Sequence, residues 1–368
     1  MIYREMVFFC TSILALKTNE ALKQEVKETI LKGVDWDKFV VFSTNHYVLP
    51  ALYIRLKEAE LLSFLPTDLV AFMKNLAHLN ATRNRKLLEE VFEINALLTS
   101  NNITPIFLKG AAHLVSNLYS DYAVRMIGDI DLLVAPNKMI KSAKILENAG
   151  YSSITEYNPR KFEDRRHYPR LIHKDKLVAV EVHKDLVKKK QDRQFDYHTI
   201  EKTKQQINGV FIPSFENLVI HNAINSQMND LHYLYVRLNL RQQYDLFLLS
   251  KFTDVQNSYK AFGFHQNKTC AYLVKTAFIF QNDTSLEYDK NSKSWWYKNR
   301  VNGQLKYPKT FKYINRLIFI GVQTKTYLAL IIAHITHPED RRFVLEKVSS
   351  AKWWKEFLGR RYKGMRSN

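Results

Sequence analysis

The sequence predicts a protein of the α+β class, in which a mixed segment of strands and helices lies between two helical regions. Residues 19–99 show the apolar spacing of amphipathic helices, and the chain becomes helical again after Pro213. The intervening segment carries apolar runs and alternating patterns that are typical of strands. We therefore expect an N-terminal helical region (1–100), a central core (101–213) and a C-terminal helical, basic region (214–368).

The composition is that of a globular protein. The 368 residues are 46% hydrophobic and 13% aromatic, which is enough for a substantial core and argues against disorder. Only Cys10 and Cys270 occur, so neither a disulfide framework nor a zinc site is supported, and we expect a reducing cytoplasm. The apolar run at residues 1–16 is short and lacks a clear cleavage site, so we expect a first buried helix there.

Several helices are predicted from their apolar faces and their ends. Residues 20–31 and 86–98 have helical spacing, and the second segment ends at Asn101-Asn102. Residues 138–149 form the next predicted helix, closed by Gly150. Residues 311–335 are apolar but interrupted by charged side chains, so we expect a buried helix pair there and no membrane span.

A candidate phosphate site opens the central core. Residues 104–110 are expected to form a short buried strand that ends in Lys109-Gly110, followed by a helix over 111–119. A strand, a glycine and a helix start make backbone amides available to an anion. Lys109 adds a positive charge, and Arg125 adds a second one near the next strand. We therefore predict that Lys109, Gly110 and Arg125 bind phosphate.

Paired carboxylates mark the next two strands. Asp129 and Asp131 lie one residue apart in the predicted strand 128–134, so both point to the same face. Two neighbouring acids repel each other unless a cation lies between them, and a pair of hard oxygen ligands suits Mg²⁺. Residues 177–183 alternate as a strand and place Glu181 and His183 on one face. Glu181 is a candidate third ligand; a structural role, orienting a carboxylate, is favoured for His183.

These residues resemble a known family. The matching segments are LKGAA at 108–112, RMIGDIDLLV at 125–134 and EVH at 181–183. In this order they are similar to the uncharacterised bacterial nucleotidyltransferase family, within the DNA polymerase beta type superfamily. The resemblance implies a small mixed sheet flanked by helices. One departure is that better-known members carry Gly-Ser or Gly-Gly where this chain has Lys109-Gly110.

The resemblance also implies an activity. Asp129, Asp131 and Glu181 would bind Mg²⁺ and catalyse transfer of a nucleoside monophosphate from a nucleoside triphosphate to an acceptor hydroxyl, with release of pyrophosphate. ATP is the default donor, because no motif in the sequence indicates which nucleobase is recognised. Lys109, Arg125 and the Gly110 amide would offset negative charge, and Glu181 has a second possible role as general base. The acceptor stays open, with a small molecule or a protein favoured over nucleic acid.

The net charge of +19 supports an alternative function. The last 68 residues carry 14 basic and only 4 acidic residues. Residues 352–355 and 359–363 mix aromatic and basic side chains, as nucleic-acid binders do. The alternative is a non-catalytic nucleic-acid-binding protein that uses this basic end. It should tolerate the loss of the carboxylates, whereas the enzyme should not.

Overall fold

The computed structural model describes residues 1–16, 20–154, 166–187, 195–263, 265–281, 283–336, 345 and 349–351. Within these residues, seven short strands lie between two sets of helices, so the predicted α+β class is confirmed. The sequence also predicts a helix start at 337–340. This segment lies outside the described residues, and so do the basic, aromatic segments 352–355 and 359–363.

Five helices precede the first strand. The first begins at Tyr3 and is buried along most of its length, as predicted. The helix predicted over 86–98 is the end of a much longer one of 34 residues, which ends at Asn101. The helices are α1 (Tyr3–Leu14), α2 (Glu20–Lys32), α3 (Trp36–Asn45), α4 (Leu49–Glu58) and α5 (Thr67–Ser100).

The strands form one mixed sheet in the order β3-β4-β5-β2-β1-β7-β6. At its centre, β2 is parallel to β5 and antiparallel to β1, and both faces of β2 and β5 are largely buried. β4 pairs antiparallel with β5, so these two consecutive strands form a hairpin. The strands are β1 (Ile106–Phe107), β2 (Asp129–Leu133), β3 (Ser152–Ser153), β4 (Leu171–Ile172), β5 (Ala179–His183), β6 (Gln205–Ile207) and β7 (Val210–Ile212).

Among the described residues, three α-helices lie between strands of the sheet. The predicted ends of the second are close to those observed, and Gly150 follows it with a φ of +97°. The helices are α6 (Lys109–Val115), α7 (Met139–Asn148) and α8 (Tyr197–Thr203).

The strand that leads to Lys109 is shorter than predicted. Leu108 is still extended, but Lys109 has a φ of +49° and begins α6. The left-handed conformation at a non-glycine residue interrupts the strand, which therefore ends at Phe107. The prediction of a strand through Gly110 and a helix over 111–119 was wrong in its limits, because the turn lies two residues earlier and the helix ends at Val115.

Helices follow the sheet to the end of the well-described chain. The sequence predicts Ser214 as the N-cap of the first of them, and the Ser214 hydroxyl does accept a hydrogen bond from the Asn217 amide at 3.4 Å. The helices are α9 (Phe215–Ile224), α10 (His232–Tyr235), α11 (Leu240–Leu249), α12 (Val255–Phe262), α13 (Gln266–Ile279), α14 (Ser292–Lys306) and α15 (Pro308–Thr336), and α9 continues into one π-helical turn over Asn225–Asn229.

The predicted buried helix pair at 311–335 was wrong. A single helix, α15, covers this segment, and Tyr313 and Leu317 on it are 69% and 70% exposed. The apolar residues are interrupted by charged ones, and no helix among the described residues is long and apolar enough to cross a membrane. The chain divides into two compact units, Met1–Tyr233 with Arg237–Asn299, and Leu234–Val236 with Arg300–Asn368. The domain limits at 100 and 213 stay a prediction.

Candidate active site

The predicted carboxylates meet at the centre of the sheet. The register of β2 and β5 places Asp131 directly beside Glu181, and alternation puts Asp129 and His183 on the same face. Ligand atoms of Asp131, Glu181 and His183 lie within 4.8 Å of one another, and all three residues are buried. The two strands that the sequence predicts to carry the acids are therefore neighbours in the sheet. The structure adds His183 to the group that could hold a metal ion.

Lys109 and His183 both contact Asp131. The Lys109 ammonium donates to its Oδ1 at 2.6 Å, and His183 Nε2 lies 2.9 Å from the same oxygen. His183 Nε2 also lies 3.3 Å from Glu181 Oε2. His183 thus bridges the two acids and fixes their orientation, which is the structural role the sequence favoured for it. Lys109 reaches the acid from a backbone conformation that few lysines adopt, so the fold stabilises an unfavourable φ here.

Arg170 is a site residue that sequence reasoning missed. Its Nε lies 2.5 Å from Glu181 Oε1 and its Nη2 lies 2.6 Å from Asp129 Oδ2, while half of its side chain stays exposed. A signal was present: the hairpin pairs Leu171 with Val180, so the residue before Leu171 lies across from Glu181. Arg170 links the third carboxylate to the first.

The carboxylates differ in their proton affinity. Burial alone would raise the pKa of Asp131, but Lys109 and His183 lower it well below its usual range. Glu181 is also buried, yet hydrogen bonds from His183 and Arg170 lower its pKa to about 2. Burial and the charge of Asp131 raise the pKa of Asp129. Asp131 and Glu181 are therefore ionised at neutral pH and attract cations.

Arg125, a predicted phosphate ligand, is buried in an ion pair. Its guanidinium contacts both carboxylate oxygens of Asp245 at 2.8–3.0 Å, and it donates to the Met126 carbonyl at 2.8 Å. Tyr119 also donates to Asp245, at 2.8 Å. Arg241, four residues before Asp245 on the same helix, also donates to the Met126 carbonyl, at 3.0 Å. Nucleotide binding by Arg125 stays a prediction.

Side chains of α5 hold the segment that carries Arg125. Asn80 and Asn84 both donate to the Arg125 carbonyl, at 3.1 and 2.7 Å, and Arg83 donates to the Ile127 carbonyl at 2.6 Å. The segment lacks a sheet or helix partner of its own, so these bonds satisfy backbone oxygens that would otherwise be buried and unpaired. These bonds cannot be recognised in the sequence, because the partners are 41 to 45 residues apart.

Gly110 packs closely against Ile127. A Cβ atom at this position would lie 3.0 Å from both Cγ1 and Cγ2 of Ile127, which is tighter than ordinary van der Waals contact. A larger residue would push Ile127 and the strand that follows it. The prediction that the Gly110 amide binds phosphate stays open.

A cavity of about 310 Å³ adjoins the carboxylates. Lys109, Arg125, Asp129, Asp131, Arg170 and Glu181 line one part of it. Its other part is lined by polar, charged and apolar residues of α9, of the π-helical turn with its C-cap and of α11: Leu218, His221, Asn222, Asn225, Asn229, Asp230, Arg241, Gln242 and Asp245. Sequence reasoning found the first group, except Arg170, and missed the second. Asparagine and glutamine residues on a helix have the same spacing whether they line a cavity or face solvent, so their pattern does not identify a cavity wall.

Two further histidines near the hairpin, His167 and His173, have neighbours within the protein. His167 forms a β-bridge with His183, and its Nε2 lies 4.0 Å from Glu181 Oε2. His173 packs on Tyr151, with ring centroids 5.2 Å apart, and its Nε2 occupies the space beside Gly150. His167 thus lies next to Glu181 and His183, whereas His173 packs against the turn at Gly150, after α7.

The fold and the site define an α+β protein whose sheet presents a candidate divalent-metal site to a cavity. The sequence matches the model of the family described as uncharacterised nucleotidyltransferase over residues 32–260, more than half of its length, and the chain belongs to that family. The resemblance seen in the motifs is therefore confirmed at the level of the family.

Other similarities are weaker. The crystal structure of JHP933 from Helicobacter pylori is 14% identical, and the match covers 62% of this chain and 97% of that one with a TM-score of 0.33. A likeness at this level does not bear on the family assignment. No curated protein matches the sequence significantly.

Proposed function

We propose that the protein transfers a nucleoside monophosphate from a nucleoside triphosphate to an acceptor hydroxyl with Mg²⁺ as cofactor, and releases pyrophosphate. ATP is the donor we favour, and the reducing cytoplasm is the compartment we expect. The observation that carries the proposal is the group Asp131, Glu181 and His183, with Asp129 beside it, at the wall of a cavity in a chain of the nucleotidyltransferase family.

The donor set fits Mg²⁺. Asp129, Asp131 and Glu181 supply carboxylate oxygens, which are the ligands that Mg²⁺ prefers. His183 Nε2 is shared between two of these acids, so His183 serves to orient them and we do not assign it as a ligand. When bound, Mg²⁺ would neutralise phosphate charge and lower the pKa of the acceptor hydroxyl.

The surrounding cations suit a triphosphate. Lys109 is three-quarters buried and lies against Asp131, so its ammonium is held at the point where the acids meet the cavity. Arg170 is half exposed and therefore free to turn from the acids toward an incoming anion. Both would stabilise negative charge that develops on phosphate oxygens.

Glu181 is better suited to binding the cation than to accepting a proton. A general base works best when its pKa lies near the working pH, and the hydrogen bonds from His183 and Arg170 hold that of Glu181 at about 2. The role of general base therefore receives no support from its surroundings. We keep Glu181 in the proposal as a ligand and as a source of negative charge beside Asp131.

Calorimetry on the full chain tests the proposal. We expect wild-type protein to bind ATP only when Mg²⁺ is present. In the double variant Asp129→Asn/Asp131→Asn, the Kd for ATP with Mg²⁺ should rise at least tenfold. Asp175→Asn is the matched control, because Asp175 is exposed in the hairpin and does not line the cavity. If wild-type protein binds no nucleoside triphosphate with Mg²⁺, the proposal is wrong.

A further inference from the structure

The long helix α15 carries a row of exposed apolar side chains on one face. Tyr313, Leu317, Ile320 and Leu328 follow helical spacing, and we call these four residues the apolar stripe. Their exposed fractions lie between 44% and 70%. From its first to its last residue, the stripe extends about 22 Å along the helix axis. Single exposed apolar residues are common on any protein, but a row of this length marks an interaction surface.

The opposite face of α15 is partly covered. Its residues also follow helical spacing, about half a turn away from the stripe. Four of them are half-buried: Phe311, Asn315, Ile318 and Val322. The side chains of this face are therefore partly removed from water, whereas those of the apolar stripe stay exposed to it.

The charges of α15 are all positive. The helix contains no Asp or Glu, and its Lys and Arg residues are Lys309, Lys312, Arg316 and Lys325. At about 100° per residue, Lys309 and Arg316 lie along one edge of the apolar stripe and Lys325 lies along the other. These three side chains are exposed. The stripe is thus flanked by positive charge on both sides.

This pattern is typical of a helix that lies in the interface between a membrane and water. Apolar side chains then enter the boundary between the headgroups and the acyl chains, while Lys and Arg at the edges reach the lipid phosphates. Tyr313 suits the same depth, because its ring is apolar and its hydroxyl is polar. Anionic headgroups would supply the negative charge that α15 itself lacks.

Two other partners fit this face less well. A second copy of the chain that docked through the same face would bring two rows of basic side chains together with no acid on either helix, which is repulsive. A nucleic acid would neutralise the basic side chains, but it would leave Leu317, Ile320 and Leu328 without a matching apolar surface. Single strands stack their bases on aromatic rings, and the stripe offers only Tyr313. The apolar and charged parts of the face together favour lipid.

We infer that α15 binds the surface of a membrane that contains anionic phospholipids, with its axis parallel to the bilayer plane. The apolar stripe is then buried among the headgroups, and Lys309, Arg316 and Lys325 contact phosphate. The inference does not depend on the proposed transfer reaction, since it uses no residue of the candidate active site.

Sedimentation of the full chain with lipid vesicles tests the inference. We expect the protein to bind vesicles made of equal parts phosphatidylserine and phosphatidylcholine at least tenfold more tightly than vesicles of phosphatidylcholine alone. Binding should weaken as the salt concentration rises, because salt screens the attraction between charges. The variants Leu317→Gln/Leu328→Gln and Lys309→Gln/Arg316→Gln should each lower the partition coefficient about tenfold or more, because they remove apolar burial and phosphate contacts respectively.

Lys74→Gln/Leu79→Gln is the matched control, because it makes one change of each kind at exposed positions of α5 and should leave vesicle binding unchanged. Circular dichroism melting checks that each variant folds. If wild-type protein does not bind the mixed vesicles, or if Leu317→Gln/Leu328→Gln binds them as tightly as wild type, the inference is wrong. It is also overturned if the wild type binds a single-stranded oligonucleotide but no vesicles. A dimer that Leu317→Gln/Leu328→Gln dissociates, seen by sedimentation velocity while vesicles stay unbound, would assign the stripe to a second copy instead.

Discussion

The buried ion pair between Arg125 and Asp245 gives a sharp prediction about stability. Asp245 is 1% exposed and Arg125 is 9% exposed, and the guanidinium contacts both carboxylate oxygens. In Asp245→Ala the guanidinium would remain buried without its counter-charge, and the Tyr119 hydroxyl would lose its acceptor. Breaking a buried pair in this way costs about 3–5 kcal/mol of unfolding free energy.

Urea unfolding followed by circular dichroism measures this cost. Asp289→Ala is the matched control, because Asp289 pairs with Lys260 at 2.9 Å on the surface, and we expect its removal to change the midpoint little. The double variant Arg125→Met/Asp245→Leu should recover much of the loss, because two apolar side chains leave no buried charge. A cost below about 1 kcal/mol for Asp245→Ala would refute the argument that this pair is desolvated.

Three further predictions concern pH, packing and the metal. Burial lowers the pKa of His113 from 6.5 to about 4 in the folded protein, so as the pH falls the unfolded state takes up this proton before the folded state does. The free energy of unfolding should therefore fall by about 3 kcal/mol between pH 6.5 and pH 4. In urea titrations at several pH values, His113→Leu should reduce this dependence of stability on pH. Gly110→Ala should lower the free energy of unfolding by about 1–3 kcal/mol, and combining it with Ile127→Ala should cost less than the sum of the two. Arg170→Gln should tighten Mg²⁺ binding in calorimetry about threefold to tenfold, since Arg170 competes for the same acids; weaker binding would contradict this.

The sequence was most informative where a short-range rule decides the outcome. Alternation along two strands placed Asp129 with Asp131, and Glu181 with His183, before any tertiary contact was known. Ser214 and Gly150 marked helix ends for local reasons, since a hydroxyl accepts an amide bond and a glycine adopts positive φ. These predictions needed only a few neighbouring residues.

The sequence was less informative where the backbone departs from the usual pattern. Residues 104–110 read as one strand, but the left-handed conformation of Lys109 ends it early. Nothing in the residue type predicts this, because the compensation comes from the contact of Lys109 with Asp131 across the sheet. The exposed apolar residues of α15 were likewise misjudged, since periodicity describes a face without showing what covers it.

The sequence alone therefore determined the fold class, the family and the two strands that carry the acids, because strand and helix periods follow from local sterics. Only the tertiary structure decided which cation meets which acid. Arg125 pairs with Asp245, 120 positions away, and Arg170 with Asp129, 41 positions away. Such pairs form where packing removes water and brings distant segments within about 3 Å, and the energy of a charge contact depends on that burial rather than on sequence spacing.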